Sequence, residues 1–251
     1  MGVETVFATP AQFAAVCLVL VVAEAVYVLL GFGAGLVSVG ALALLVPDLR
    51  DVIVLLLLVN LPAELFVVAT SWREVAWRGV ALLTTGVAIG IPIGTWVLRV
   101  GDPRGLLLAL GATLVIVGLV FVRLPTVELR RTPRWLPLPI GAVSGVLTGL
   151  FGTGGPPLVL YYRCVGVGKT EFRGNLMAIF LAMTAIRVPS YAGMGLITAE
   201  RLWSGAAVLP AVLFGAWIGH HLHLGVAEPT FRRLVAVALV VLGVLLVVGI
   251  H

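Results

Sequence analysis

Three ionisable residues of this sequence, Glu24, Glu64 and Arg187, stand inside long apolar runs. A charge there is expensive to insert and points to a pathway or a binding site. Arg187 lies between Leu176–Ile186 and Val188–Pro189, and a guanidinium can fork onto the paired oxygens of an anion. Glu24 and Glu64 can carry protons, and Asn60, one turn before Glu64, can orient a polar solute. The competing role for Arg187 is structural: an Arg–Glu pair, or a head group reaching the membrane interface. Two glycine clusters add a second chemistry. They are Gly31-Phe32-Gly33-Ala34-Gly35 and the stretch Gly149 to Pro157, which holds Gly152-Thr153-Gly154-Gly155. Pro156 and Pro157 suit the first turn of a new helix, so short helices are expected to start near Leu36 and near Pro157. Helix N-termini present free N–H groups and about half a positive charge, which attracts anions. Ser38 and Thr153 add hydroxyl donors. The candidate substrate site is therefore Gly33, Gly35, Ser38, Asn60, Gly152, Thr153, Gly154, Gly155 and Arg187, with Glu24 and Glu64 as proton-coupling candidates. The glycines have a plainer reading as close helix packing; their occurrence in two matching places favours the site.

Other chemistries find less support. His220-His221-x-His223 clusters metal-type ligands, but adjacent histidines on a helix diverge, and an interfacial role fits better; no metal site is expected. Gly166-Val167-Gly168-Lys169-Thr170 ends like a phosphate loop, yet its first glycine position is Arg163 and no strand precedes it. No HExxH is present, and Asp48, Asp51 and Asp102 all fall at loop positions, so no buried aspartyl pair exists. Ser144 is one residue off a GxSG elbow. An intramembrane enzyme is thus disfavoured and no cofactor is implied. A scaffold without transport would not require paired helix breaks.

The elements that position these residues must be membrane helices. Of 251 residues, 61% are hydrophobic and 11% charged, and the mean hydropathy is +1.18. Soluble domains carry about a quarter charged residues, and a fold of this size has too little interior to hide so much apolar surface. Charge-free runs such as Gly79–Leu98, Gly105–Val122, Trp135–Tyr162 and Leu202–Val226 match the ~20 residues that span a bilayer. The net charge of +5 is spread over short loops, with no clustered basic face for nucleic acid. Cys17 and Cys164 lie in or beside apolar runs and imply no disulfide framework. The Met-Gly-Val-Glu start lacks a basic region and a cleavage site, so no removable signal is expected.

An internal duplication organises the chain. Gly90-Ile91-Pro92-Ile93-Gly94 matches Gly215-Ala216-Trp217-Ile218-Gly219, Trp77-Arg78-Gly79 matches Trp203-Ser204-Gly205, and Asp102-Pro103 matches Glu228-Pro229, with Gly118 answering Gly243. The offset is near 119 at the start of each half and near 125 later. The predicted first repeat is 1–122, with a glycine-broken hairpin at 11–46 and helices at 52–71, 77–99 and 104–122. A linker, 123–134, precedes the second repeat, 135–251, with its hairpin at 136–166 and helices at 172–194, 202–223 and 232–250. An unbroken helix over 11–46 would be about 54 Å long, far beyond a hydrocarbon core of about 30 Å, so the segment must bend. If each broken segment crosses once, the loop cations divide seven against eight. If each returns as a hairpin, eleven share one side and only Arg50, Arg99, Arg104 and Arg201 face the other. The positive-inside rule prefers the hairpin, giving three crossings per half, inverted repeats and both termini in the periplasm. The fold class is then an all-α integral membrane protein of two inverted repeats, each a broken hairpin plus three transmembrane helices. Such carriers rock one repeat against the other around a midplane site.

The duplicated segments resemble the TauE/SafE sulfite exporter family, also called TSUP. Leu29-Leu30-Gly31-Phe32-Gly33-Ala34-Gly35 is similar to its first-half glycine motif, and Gly145 through Leu160 is similar to its second-half motif. Glu171-Phe172-Arg173-Gly174-Asn175 is similar to the segment opening the next helix. The resemblance covers nearly the whole chain. It implies transport of a small sulfur-containing anion, such as sulfite, thiosulfate, a sulfonate or sulfoacetate, across a bacterial inner membrane. Thr153 and Ala34 depart from the family's glycines, which bears on substrate choice. A carrier of neutral or cationic solutes is the alternative, and there the carbonyls of the breaks and Glu64 would matter more than Arg187. A coupling proton or sodium ion and a second copy of the chain are the remaining candidate partners, besides the anion and the bilayer.

Overall fold

The computed structural model describes residues 5–30, 34–71, 75–123, 133, 135–221 and 228–249; the side chains of 27–30, 34, 61–71, 123, 169, 170, 173, 220 and 228–232 fall outside the description. Every regular element among the described residues is an α-helix. In chain order they are α1 (Pro10–Leu30), α2 (Ala34–Leu45), α3 (Leu49–Ser71), α4 (Trp77–Val100), α5 (Pro103–Arg123), α6 (Pro137–Phe151), α7 (Gly155–Val165), α8 (Lys169–Gly193), α9 (Ala199–His221) and α10 (Glu228–Val248). Helix is what lipid permits, because it satisfies each backbone group within its own segment. Four stretches, Trp77–Val100, Pro103–Val122, Gly174–Gly193 and Ala199–Gly219, are long and apolar enough to cross a membrane. Their surfaces agree: Ile89, Trp96, Ile116 and Leu213 are each more than half exposed, which suits lipid and not water.

Local chemistry sets the helix starts. Thr9 Oγ1 accepts from Gln12 N at 3.1 Å while Gln12 Oε1 accepts from Ala8 N at 2.7 Å, a reciprocal cap before α1. Asp102 Oδ2 accepts from Gly105 N at 2.6 Å ahead of α5, whose first residue is Pro103. Thr198 Oγ1 accepts from Arg201 N at 3.3 Å at the start of α9.

The chain gathers into two compact units. One comprises Met1–Val59, Gly101–Leu124 and Ile197–His251; the other comprises Asn60–Val100 and Pro125–Leu196. Each unit therefore draws helices from both sequence halves. In the first unit α1 packs on α9, and α5 packs on α10. A methyl group on Gly215 would stand 2.5 Å from the Val21 carbonyl oxygen, and one on Gly219 would stand 2.5 Å from that of Ala25. The two sets of positions rise together, so α1 and α9 run parallel. Gly111 faces Gly243 while Gly118 faces Ala236. Here one number rises as the other falls, so α5 and α10 run antiparallel. Arg201 Nε donates to Asp51 Oδ1 at 2.7 Å, tying the start of α9 to the first turn of α3.

In the second unit α4 packs on α6 along most of its length. Gly86, Gly90 and Gly94 lie against the carbonyls of Leu138, Ala142 and Val146, and Gly141, Gly145 and Gly149 lie against those of Leu83, Val87 and Ile91. At these six glycines the helices touch backbone to backbone, running in parallel. Asn175 Oδ1 accepts from Ala76 N at 2.8 Å, tying the start of α4 to the first turn of α8. This tie and the Arg201–Asp51 tie join positions displaced by 125 and 124 residues, the offset of the sequence duplication.

The seam gives a direct test. In Gly90→Ala the new methyl meets the Ala142 carbonyl, which is backbone and cannot turn aside. In Gly79→Ala it meets nothing within 4 Å. Thermal unfolding of detergent-purified protein should show Gly90→Ala losing about 2 kcal/mol or more, in the range of core overpacking, and Gly79→Ala unchanged or slightly stabilised. Equal behaviour of the two variants would contradict the seam.

Candidate functional site

The best-defined irregular backbone inside an apolar stretch is the break between α6 and α7. α6 ends because Gly152 turns left-handed, with φ 71°, a conformation that suits glycine, and its N–H returns to the Thr148 carbonyl at 2.9 Å. Thr153 follows, and Gly154 is the N-cap of α7. Gly155 is then the first helical residue, with Pro156 and Pro157 behind it. The turn is fixed by side chains one turn apart on α6. Ser144 Oγ donates to the Gly154 carbonyl, and Thr148 Oγ1 donates to the Ser144 carbonyl at 2.8 Å. No side chain fits at 154, since a Cβ there would overlap Thr148 Oγ1 and the Ser144 carbonyl.

One face of α8 closes over this break. Phe180 presents its ring edge to Gly155, with Cζ 3.4 Å from where a Cβ would stand. Met183 Sδ lies 3.2 Å from Thr148 Oγ1, whose proton goes to the Ser144 carbonyl. Arg187, 3% exposed, donates from Nη1 to the Gly152 carbonyl at 3.2 Å. Tyr191, fully buried, donates from its hydroxyl to the Gly149 carbonyl at 3.0 Å, with the Thr148 carbonyl 3.4 Å away, and its ring lies 5.6 Å below the Arg187 guanidinium. The last carbonyls of α6 therefore meet a hydroxyl and a cation, as the negative end of a helix dipole favours.

The electrostatics are unbalanced. Arg187 Nε and Thr153 Oγ1 are buried and make no hydrogen bond among the described residues. Among the described residues Arg187 makes no salt bridge. A buried cation without a counter-charge carries a large desolvation penalty, and two idle donors add to it. Both groups adjoin the N-terminus of α7. The break thus carries a buried cation and two side-chain donors with no acceptor among the described residues.

Of the residues expected from sequence, Gly152, Thr153, Gly154, Gly155 and Arg187 lie together at this break. Gly35 is half-buried in the first turn of α2, and Ser38 and Glu24 are buried, each with an interaction partner. Asn60 is half-buried in α3. Gly33 lies outside the described residues, and so does the side chain of Glu64, whose backbone is in α3. Sequence reasoning weighed Ser144 only as an off-register nucleophile elbow and passed over Thr148, Phe180, Met183 and Tyr191. The signal was periodic: Phe180, Arg187 and Tyr191 recur at seven and four residues on one face of α8, and Ser144 and Thr148 at four on α6.

Replacing Tyr191 by Phe keeps the ring and removes the hydroxyl that serves α6. A stability loss of about 0.5–1.5 kcal/mol is expected in thermal unfolding. Gly154→Ala should be worse, because Ser144 and Thr148 must both leave their bonds. A Gly154→Ala protein as stable as the parent would refute this geometry.

A family model for the sulfite exporter TauE/SafE matches residues 16–246. The chain is 29% identical over 193 residues to a probable inner membrane transporter protein, TsaS, of Comamonas testosteroni, covering 75% of this chain and 80% of that one. It is 26% identical over 223 residues to a probable sulfite/organosulfonate exporter, TauE, of Cupriavidus necator, covering 87% and 85% respectively. No solved structure matches it. The match spans every helix from α1 to α10, so this membrane protein belongs to the TauE/SafE family of sulfite exporters.

Proposed function

We propose that this protein is a secondary transporter that exports a small sulfur-containing anion across the bacterial inner membrane, and that the anion binds at the α6–α7 break. One observation carries the reading: Arg187 is buried, and its Nε and the neighbouring Thr153 hydroxyl are unpartnered beside a helix N-terminus. Family membership and the names of the two relatives agree with it. Gly154 and Gly155 supply N–H groups, Thr153 a hydroxyl, and Arg187 charge. Glu24 or Glu64 would couple a proton, and Asn60 would orient the solute.

The inverted-repeat topology is part of the proposal, and helix direction supports it. If each broken segment crossed the membrane once, each half would cross an even number of times. The equivalent last helices of the halves, α5 and α10, would then run parallel. They run antiparallel. A returning hairpin gives an odd number of crossings and reverses the second half, in line with the uneven distribution of loop arginines. Both termini are then periplasmic.

Alternating access, if the protein works that way, has to respect which helices are locked together. The parallel seams of α1 with α9 and of α4 with α6 each join one half to the other. Neither half can therefore move as a body without tearing these seams. The two compact units cut across the halves. The chain passes between them at the α4–α5 turn, in the linker after α5, in the α8–α9 turn, and once inside a helix, between Val59 and Asn60 of α3. Pro62, inside α3, offers no N–H to the Leu58 carbonyl.

Sulfite should raise the melting temperature of the detergent-purified protein in proportion to ln(1 + [L]/Kd), about 2.7 kcal/mol at a hundredfold excess over Kd. Arg187→Ala should abolish the shift, and Thr153→Val should weaken it while leaving the ligand-free melting temperature nearly unchanged. Proteoliposomes should lose sulfite efflux in the same order. Full stabilisation by sulfite in a folded Arg187→Ala would sink the proposal.

A further inference from the structure

A groove of about 440 Å³ lies between α1, α2 and α10, all within the first unit. α2 packs on α1 and on α10 and forms its floor. The mouth is open, since Leu18 and Val22 on α1 and Leu234 on α10 are each more than half exposed. Small residues make the space: Ala23, Ala41 and Ala238 line it, one from each helix. Val21 and Ala25, which meet α9, lie on another face of α1, so the groove is not the seat of α9. No charged residue lines it, and its one polar side chain, Ser38, is buried and already has a partner.

That chemistry decides what can occupy the groove. Packed proteins leave few voids larger than a water molecule, so a space of this size is a built feature. Apolar cavities stay dry, and one of ~150 Å³ already admits a benzene ring. An anion would find no donor to replace its lost water. A helix is about 10 Å across and rises 5.4 Å per turn, about 420 Å³ for each turn. The groove therefore holds a single turn, and the spanning helix of a second copy has no room to lie in it. A hydrocarbon chain is thin, flexible and without polar groups, and it is the solvent on which α1 and α10 open.

We propose that this groove is a binding site for one acyl chain of a membrane phospholipid, which fills the space between α1 and α10 and braces α2. Recognition is of the chain and not of the headgroup.

The test adds palmitoyl-oleoyl phosphatidylethanolamine to delipidated, detergent-purified full-length protein and reads native mass spectra and thermal unfolding. One lipid should stay bound to the parent, and the melting temperature should rise with lipid in proportion to ln(1 + [L]/Kd). Phosphatidylglycerol with the same chains should do the same. Ala238→Phe and Ala41→Phe each place a ring in the groove, from a different wall. Either should lose the bound lipid and the thermal shift, and where one fails to fold the other answers. Val237→Phe is the control: Val237 is 57% exposed beside Ala238 and does not line the groove, so its variant should keep both. A parent that holds no lipid overturns the proposal, as does a folded Ala238→Phe or Ala41→Phe with the parent's occupancy. Loss of lipid to the same extent in Val237→Phe also overturns it, because the lipid is then only part of the surrounding shell. Retention of only one of the two headgroups overturns it as well. A parent dimer that Ala238→Phe dissociates while lipid stays bound assigns the groove to a second copy and overturns it too.

Discussion

A helix that ends inside a membrane must find partners for its last carbonyls and for the first N–H groups of whatever follows. Water is not there to supply them. The turn at Gly152–Gly154 meets this demand with side chains from α6 and α8. Ser144 holds the carbonyl of the N-cap, Tyr191 serves the end of α6, and Arg187 binds the carbonyl of the left-handed glycine. What the turn does not satisfy is equally specific. Two side-chain donors are left over among the described residues, Arg187 Nε and the Thr153 hydroxyl.

Much of this could be read from the sequence, for physical reasons. Composition alone sets lipid as the solvent, and lipid allows only helix. The helix break is written in residues with a fixed meaning: a left-handed position needs Gly152, and prolines mark the start of α7 at Gly155. Arg187 announces itself because a charge so far inside an apolar run has no solvated alternative. Tyr191 and Ser144 did not, since a buried hydroxyl looks unremarkable until its acceptor is known. The acceptors lie on α6, more than 40 residues from Tyr191, and spacing along α8 does not reveal them.

The assortment of helices into units was not legible at all. A duplication reads most simply as two modules side by side. The glycine pairs Gly90–Gly94 and Gly215–Gly219 were visible as landmarks, but a landmark does not name its partner. Each pair meets a helix of the opposite half: α6 for the first, α1 for the second. Backbone contact of this closeness depends on three-dimensional register, which no one-dimensional pattern contains. The correspondence of the ties Arg201–Asp51 and Ala76–Asn175 has the same origin. The paired positions share a geometry while using a charged side chain in one case and a backbone amide in the other.

The pairing of α1 with α9 has a consequence for how the molecule is made. The α4–α6 seam closes early, because only α5 and a short connection separate its members along the chain. α1 leaves the ribosome first, yet Gly215 and Gly219, which fit against Val21 and Ala25, are synthesised nearly two hundred residues later. During that interval α1, which carries the acidic Glu24, lacks its α9 partner. Contacts of such long range form late and slowly. Biogenesis of this transporter is thus asymmetric in time: one unit assembles during translation, while the other waits for the chain's last quarter before its oldest helix can settle.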